Sequence, residues 1–250
     1  MIEPTPEKLS VIYYTSNYLE EKNPYFLKNT KKQLIKAIDD LPLVVVSQKH
    51  LGFDDILFEK KGVPTLEYCI GDIGKSHTNI YLQILEGARL AKTPFVAMAE
   101  DDILYSWEHY HSRLPKRDDV FLYDMNRLSI LTWIKPPLYS YRYKRTVVNQ
   151  LIAPRQMLID ALEERFALLK NDPNLPLKYW GDPGRYEDIL GITRRKLDTF
   201  MCTNPSIVFS HEWAYGYETN QGKKKRLGDL RIIEVPYWGR AEDVLKLYHE

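Results

Sequence analysis

Cysteine is scarce: Cys69 and Cys202 are the only two, far apart and without metal-ligand spacing. That excludes a disulfide scaffold or a thiolate metal cluster and fits a reducing compartment, with a single disulfide left open. Net charge is nearly absent as well. Thirty-five Lys and Arg against 34 Asp and Glu leave +1, so no global field argues for nucleic acid or an anionic membrane. No apolar run approaches the length of a membrane span. The opening MIEPTPEKLS carries acids and prolines and no apolar core, so it does not read as a signal peptide. A cytoplasmic location is the expectation, the host cytoplasm if the source is viral. There is no internal repeat and no low-complexity linker, so residues 1–250 are expected to form one domain. Aromatic residues, by contrast, are plentiful. Eighteen tyrosines and five tryptophans supply flat amphipathic rings that suit sugar or base stacking as well as core and interface filling.

The first hundred residues alternate between strand and helix patterns. Leu9 to Tyr14 reads as a strand, with Thr15, Ser16 and Asn17 supplying small polar groups at its end. A helix follows from Pro24 to Asp40, with Leu27, Lys31, Leu34 and Ile38 at helical spacing and Pro24 in the first turn, where its missing N–H is harmless. Leu43 to Ser47 is apolar on both faces, the mark of a covered strand in a parallel sheet. Strand, helix and strand in this order make a βαβ unit. Residues 51–63 carry no clear pattern, and Leu66 to Ile70 reads as a third strand. Gly71 and Gly74 permit tight turns before a helix capped by Ser76 or Thr78, whose apolar face is Ile80, Ile84, Leu85, Ala88 and Ala91.

That helix leads into TPFVAMAEDDILY, the stretch with the most chemistry. Phe95, Val96 and Met98 make one short buried strand, and it stops on three consecutive carboxylates, Glu100, Asp101 and Asp102. Clustered acids at the end of a buried strand either face water at the rim of the sheet or hold a cation. Mg²⁺ and Mn²⁺ prefer carboxylate oxygen, and such sites commonly combine one or two carboxylates with substrate phosphates. Open α/β sheets bind ligands beyond the carboxyl ends of their strands, which is where these acids emerge.

Beyond Asp102 the pattern is looser. Leu104 to Leu114 reads as a short helix on which His109 and His111 are solvated, and Val120 to Tyr123 as a strand. Trp133 to Arg145 reads as a long Pro-, Tyr- and cation-rich loop, and Gln156 to Leu169 as a helix. A turn-rich segment, 171–185, enters Tyr186-Glu187-Asp188 and a short apolar run to Ile192. Ser206 to Phe209 is a late strand followed at once by His211; Arg231 to Val235 reads as a strand and Ala241 to Tyr248 as a helix.

The opening strand with Tyr14-Thr15-Ser16, the Gly74–Asn79–Gly87 run and the acidic strand end together resemble the nucleotide-sugar half of a GT-A glycosyltransferase, similar to glycosyltransferase family 2. The resemblance implies a mostly parallel α/β sheet flanked by helices, with residues 9–105 binding the donor and 106–250 forming a smaller acceptor-side β and loop region. It implies that Glu100-Asp101-Asp102 stands for the DxD motif, with Asp102 first and Glu100 second in contact with Mn²⁺ or Mg²⁺. His211, in SIVFSHEW, resembles the late histidine that reaches back to the metal. Tyr186-Glu187-Asp188 resembles the xED motif of inverting enzymes, which makes Asp188, with Glu187 beside it, the expected base. Tyr14, Thr15, Ser16, Gln48, Lys75, Asn79 and Asp101 fall where the donor, a UDP-sugar in first expectation, would lie. One departure is plain: the second strand ends Ser47-Gln48, without the acid that commonly reads the base, so uridine is not fixed.

The chemistry implied is metal-assisted departure of a nucleoside diphosphate and deprotonation of an acceptor hydroxyl by a carboxylate. Two cationic clusters, Arg142 with Lys144 and Arg145, and Lys223, Lys224, Lys225 and Arg226, would suit a nucleic-acid acceptor such as a hydroxymethylated base in phage-type DNA. A saccharide or lipid-linked acceptor fits equally. A metal-dependent nuclease and a nucleic-acid-binding module with structural acids are the rival classes.

Overall fold

The computed structural model describes residues 3–50, 65–141, 146–172, 175, 182–214 and 230–249. The unpatterned 51–63 stretch and both cationic clusters lie outside these residues.

Strand β1 (Leu9–Thr15) is buried along its whole length, as expected of an apolar run covered on both faces. A short helix α1 (Tyr18–Lys22) precedes α2 (Pro24–Ile38), whose first turn carries Pro24 and whose Asn23 cap accepts the Phe26 N–H. The helix stops before Asp39, which adopts a φ of 50°, two residues short of the sequence expectation. Strands β2 (Leu43–Ser47) and β3 (Thr65–Cys69) follow, then α3 (His77–Leu90), capped by Ser76, and β4 (Phe95–Glu100). Gly87 in α3 meets β1 so closely that a Cβ there would drive into Ile12 and come within 3.3 Å of Val46 Cγ2.

The second half departs further from the sequence reading. Leu104 belongs to a two-residue strand β5 (Ile103–Leu104), and the helix after it is only α4 (Trp107–His111). After β6 (Val120–Asp124) come two strands that the pattern did not reveal, β7 (Arg127–Leu131) and β8 (Tyr139–Tyr141). The second of them sits inside the stretch read as loop. A 3-10 turn (Val148–Gln150) enters β9 (Leu151–Pro154), then α5 (Arg155–Asn171), α6 (Glu187–Leu190) and β10 (Lys196–Phe200). The chain continues through β11 (Ser206–Ser210), β12 (Leu230–Ile232), β13 (Glu234–Val235), β14 (Gly239–Arg240) and α7 (Ala241–His249).

Among the described residues the main sheet has seven strands in the order β10-β6-β9-β4-β1-β2-β3, parallel except for β9. Helices cover both faces: α2 and α4 pack on one side, with Leu9, Val11 and Tyr13, and α3 and α5 on the other, with Ile12 and Tyr14. The order reverses between β1 and β4, so the crevice beyond those two strand ends is the topological switch point where open α/β sheets take ligands. A second sheet, β12-β8-β7-β11-β5, is tied to the first by β5, which follows the acids directly. It shares a third apolar cluster with α7 and the start of α2, built on Phe26, Phe209 and Tyr248.

His109 corrects the sequence reading. It is fully buried, with Nδ1 3.0 Å from Asp124 Oδ2, because the buried Asp124 carboxylate at the end of β6 needs donors. Cys202 Sγ donates to the same oxygen at 2.8 Å, and burial, then Asp124, raise its thiol pKa well above the usual range. His111 is not fully solvated either: its ring stacks on Trp107 at 4.3 Å. Cys69 and Cys202 are free thiols. No helix among the described residues is long and apolar enough to cross a membrane.

Candidate functional site at the rim of the parallel sheet

The three acids leave β4 in different company. Each Glu100 oxygen already accepts one hydrogen bond: Tyr14 donates to Oε1 at 2.7 Å and Asn149 Nδ2 to Oε2 at 2.7 Å. The Glu100 N–H donates to the Tyr105 hydroxyl (3.1 Å), which in turn donates to the Asn149 carbonyl (3.2 Å). Asp101 turns toward β1 and α2. Its Oδ2 accepts from Thr15 at 2.6 Å, and its carbonyl lies 2.8 Å from the Thr30 hydroxyl. Lys31, buried on α2, adds positive charge on that side.

Asp102 is different. Its carbonyl accepts the Phe209 N–H of β11 at 3.0 Å, and its carboxylate faces His211, with Oδ2 to Nε2 at 3.5 Å. Asp102 Oδ1 and both His211 ring nitrogens are buried without a hydrogen-bond partner. Orphaned polar atoms of this kind are costly unless something else is to be held.

Packing three carboxylates at one strand end has the expected electrostatic result. Burial first, and then the Asp102 charge, push Glu100 up to about 8, against the bonds from Asn149 and Tyr14 that favour its ionised form. The same two causes push Asp101 up to about 6, opposed by Thr15, His211 and Lys31. The Tyr14 phenol is raised well above its usual value by burial and by Glu100. Burial and crowding at the rim thus disfavour the ionised forms of both carboxyls.

The remaining expected donor residues lie at the ends of β1 and β2 and at the start of α3. Thr15 ends β1 and Ser16 follows it. The Thr15 hydroxyl also accepts the N–H of Asn17, whose left-handed backbone (φ 60°) turns the chain at the strand end. Asn17 Oδ1 accepts the N–H groups of Gln48 and Lys49, tying the ends of β1 and β2 together. Gln48 is held from both ends, donating to the Gly74 carbonyl at 2.8 Å and accepting the Ile73 N–H at 3.2 Å. Asn79 donates to the Ile73 and Gly74 carbonyls, and Lys75 sits over the Tyr18 ring. Gln83, buried on α3, donates to the Thr15 and Val46 carbonyls at 2.7 and 2.9 Å. These bonds fix a cradle of strand ends and loop around the rim. Asn149, Thr30 and Gln83 belong to this framework and were not among the residues the sequence singled out; Asn17 was named only as a polar group at the strand end and Lys31 only for its helical spacing.

Glu187 and Asp188 make no hydrogen bond or ion pair with Glu100, Asp101 or Asp102. Glu187 is buried and accepts the Gly184 N–H (3.0 Å) and the Arg195 N–H (2.6 Å), with Arg165 3.7 Å away. Arg195 immediately precedes β10, whose first residue pairs with the first residue of β6. The residues just before Glu187 reach toward the carboxyl end of β6, where the Pro183 carbonyl accepts the Tyr123 hydroxyl at 2.6 Å and Arg185 lies 3.5 Å from the Thr146 carbonyl. Asp188 projects into solvent, 3.9 Å from the equally exposed Arg194.

Among the described residues no three His, Cys, Asp or Glu side chains are gathered as a metal cluster. Asp102 and His211 offer an incomplete set of one oxygen and one nitrogen ligand. That suits an ion which takes its other ligands from a bound diphosphate and water.

No family model matches the chain, and no curated protein matches it. Solved structures are similar to it at the level of chain path. S. aureus TarS 1-349 in complex with UDP-GlcNAc is 15% identical, with a TM-score of 0.48 over 83% of this chain and 60% of that one. The mannosyltransferase PcManGT from Pyrobaculum calidifontis, in complex with GDP-Man and Mn²⁺, is 11% identical, with a TM-score of 0.48 over 85% and 59%. A nucleotidyl transferase from Methanothermobacter thermautotroptrophicus is 14% identical, with a TM-score of 0.42 over 79% and 88%. This chain therefore spans about 60% of the length of the first two. At such identities and scores, function has to be argued from the site itself.

Proposed function

We propose that the protein is a metal-dependent glycosyltransferase that takes a nucleoside diphosphate sugar at the switch point between β1 and β4. The observation that carries this reading is the Asp102–His211 pair, a half-buried carboxylate 3.5 Å from a buried imidazole, left with unpartnered atoms at the carboxyl rim of a doubly wound sheet. A divalent cation bound there supplies a Lewis acid for the charge that gathers on a departing diphosphate. Asp102 and His211 hold it. Asp101, fixed by Thr15 and Thr30, sets the backbone from which Asp102 projects, and Glu100 buttresses the strand end through Tyr14 and Asn149. The cradle of Thr15, Asn17, Gln48 and Asn79 receives the nucleotide.

The base role expected of Asp188 is not part of the proposal, because its carboxylate is exposed beside Arg194 and touches none of the three acids. The base, the sugar and the acceptor are matters for assay. Incubation with Mn²⁺ and each common nucleotide sugar, with release of nucleoside diphosphate as the readout, tests the activity; donor hydrolysis dependent on Asp102 is the expected result. Absence of release from every donor, with divalent-dependent nicking of DNA instead, would replace the reading with the nuclease. Adding hydroxymethylated DNA to the panel tests that acceptor by mass gain on the base.

A further inference from the structure

The metal-facing histidine is held by an element far from the acids in sequence. His211 is almost fully buried, yet it is oriented by rings rather than by hydrogen bonds. Phe26 of α2 meets it edge-on with centroids 6.2 Å apart, Trp213 lies at 6.2 Å, and Tyr248 of α7 lies at 5.9 Å. Tyr248 also packs on Phe26 at 5.0 Å and on Trp213 at 6.0 Å, so it closes the slot.

The latch that holds Tyr248 there is one side chain with two duties. Asn23 Oδ1 accepts the Phe26 N–H at 3.0 Å and caps the start of α2. Its Nδ2 donates to the Tyr248 carbonyl at 2.8 Å and satisfies the end of α7. Asn29 repeats the second bond one residue earlier, on the Leu247 carbonyl at 3.0 Å. The start of one helix and the end of the other are therefore pinned together, with the histidine slot between Phe26 and Tyr248.

We infer that Asn23 and Tyr248 are positioning residues for the cation site, setting the direction of the His211 ring toward Asp102. The inference rests on the proposed cation at Asp102 and His211. An imidazole with no hydrogen bond to fix its rotation depends on its packing for aim, and groups that orient a metal ligand commonly carry 10–100-fold of metal affinity.

The test is Mn²⁺ affinity of the full chain, read by electron paramagnetic resonance, with the melting temperature as a control for folding. Asn23→Asp keeps an oxygen to cap α2 but removes the donor to the Tyr248 carbonyl; Tyr248→Leu opens the slot directly. Each should weaken Mn²⁺ binding at least about 5-fold, and neither should weaken it further when combined with His211→Ala, because the lost aim and the lost ligand are the same loss. Wild-type Mn²⁺ affinity in a folded Asn23→Asp protein overturns the inference, as does a full additive loss in the double variant. Should Tyr248→Leu fail to fold, Asn23→Asp decides alone. If His211→Ala binds Mn²⁺ as wild type does, the cation reading itself falls and takes this one with it. A normal His211 effect without an Asn23 effect removes only the latch.

Discussion

Two acidic segments of this chain look alike as text and differ in substance. Glu100-Asp101-Asp102 and Glu187-Asp188 both stand at the junction of an apolar run and a turn. The first sits at the carboxyl rim of the sheet, where burial and mutual repulsion raise Glu100 to about 8 and Asp101 to about 6. The second is divided: Glu187 is a buried fastener for two backbone N–H groups, and Asp188 faces solvent beside Arg194. Acids become a functional cluster when the fold forces them together short of neutralising partners. Acids that each find a donor, or water, become structure.

The widest separation between the two segments is expected in activity. Asp102→Asn should cut donor hydrolysis about 10²–10³-fold, the scale of losing a principal stabiliser of developing charge. Asp188→Asn should change it less than about 2-fold and shift stability by less than about 0.5 kcal/mol, as exposed substitutions do. A loss at Asp188 equal to that at Asp102 would break the comparison and restore the base role to that residue.

Next in size is His211→Ala, which should weaken Mn²⁺ binding about 10–100-fold in a calorimetric titration on protein shown to be folded, with a lower melting temperature from the loss of a buried ring. Gly87→Ala sharpens the structural side of the contrast. Ala favours helix over Gly by about 1 kcal/mol, but the methyl would strike Ile12 and β1, so a net loss of about 1–3 kcal/mol by chemical denaturation is expected.

The smallest effect is in pH. A carboxyl whose pKa is raised by folding stabilises fully below its unfolded value and ceases to do so as pH rises through the folded one. Raised Glu100 and Asp101 should therefore lower the metal-free melting temperature as pH rises from about 4 through 6, for Asp101, and on to about 8, for Glu100. Mn²⁺ should offset the decline and release protons on binding near pH 7. Glu100→Gln should flatten the upper part of the curve; an unchanged slope would show that the rim carries no such strain.

Much of the parallel core was legible in the sequence, because β1 and β2 are apolar on both faces and α3 shows a cap and a clean stripe. The strands that escaped are those without such a signature. KLDTF of β10 exposes four of its five residues, so nothing in its pattern marks burial. The three residues of β8 hide in a Pro- and Tyr-rich run, and β9 is four residues ending in Pro154. At the site, the acids and His211 were visible as residues, since carboxylates in a row and a histidine after a strand are local signals. The partners that decide their chemistry were not. Asn149 meets Glu100 across 49 positions and Thr15 meets Asp101 across 86, contacts that only the sheet order creates. His109 was misjudged for the same reason, its partner Asp124 lying on another element.

The central claim is that Asp102 and His211 wait for a cation that a diphosphate completes. Mn²⁺ titration with and without UDP, on wild type and Asp102→Asn, tests it most directly. The account predicts that UDP tightens Mn²⁺ binding at least about 10-fold in wild type and leaves the variant unaffected. Equal Mn²⁺ binding by both proteins, indifferent to UDP, would contradict it.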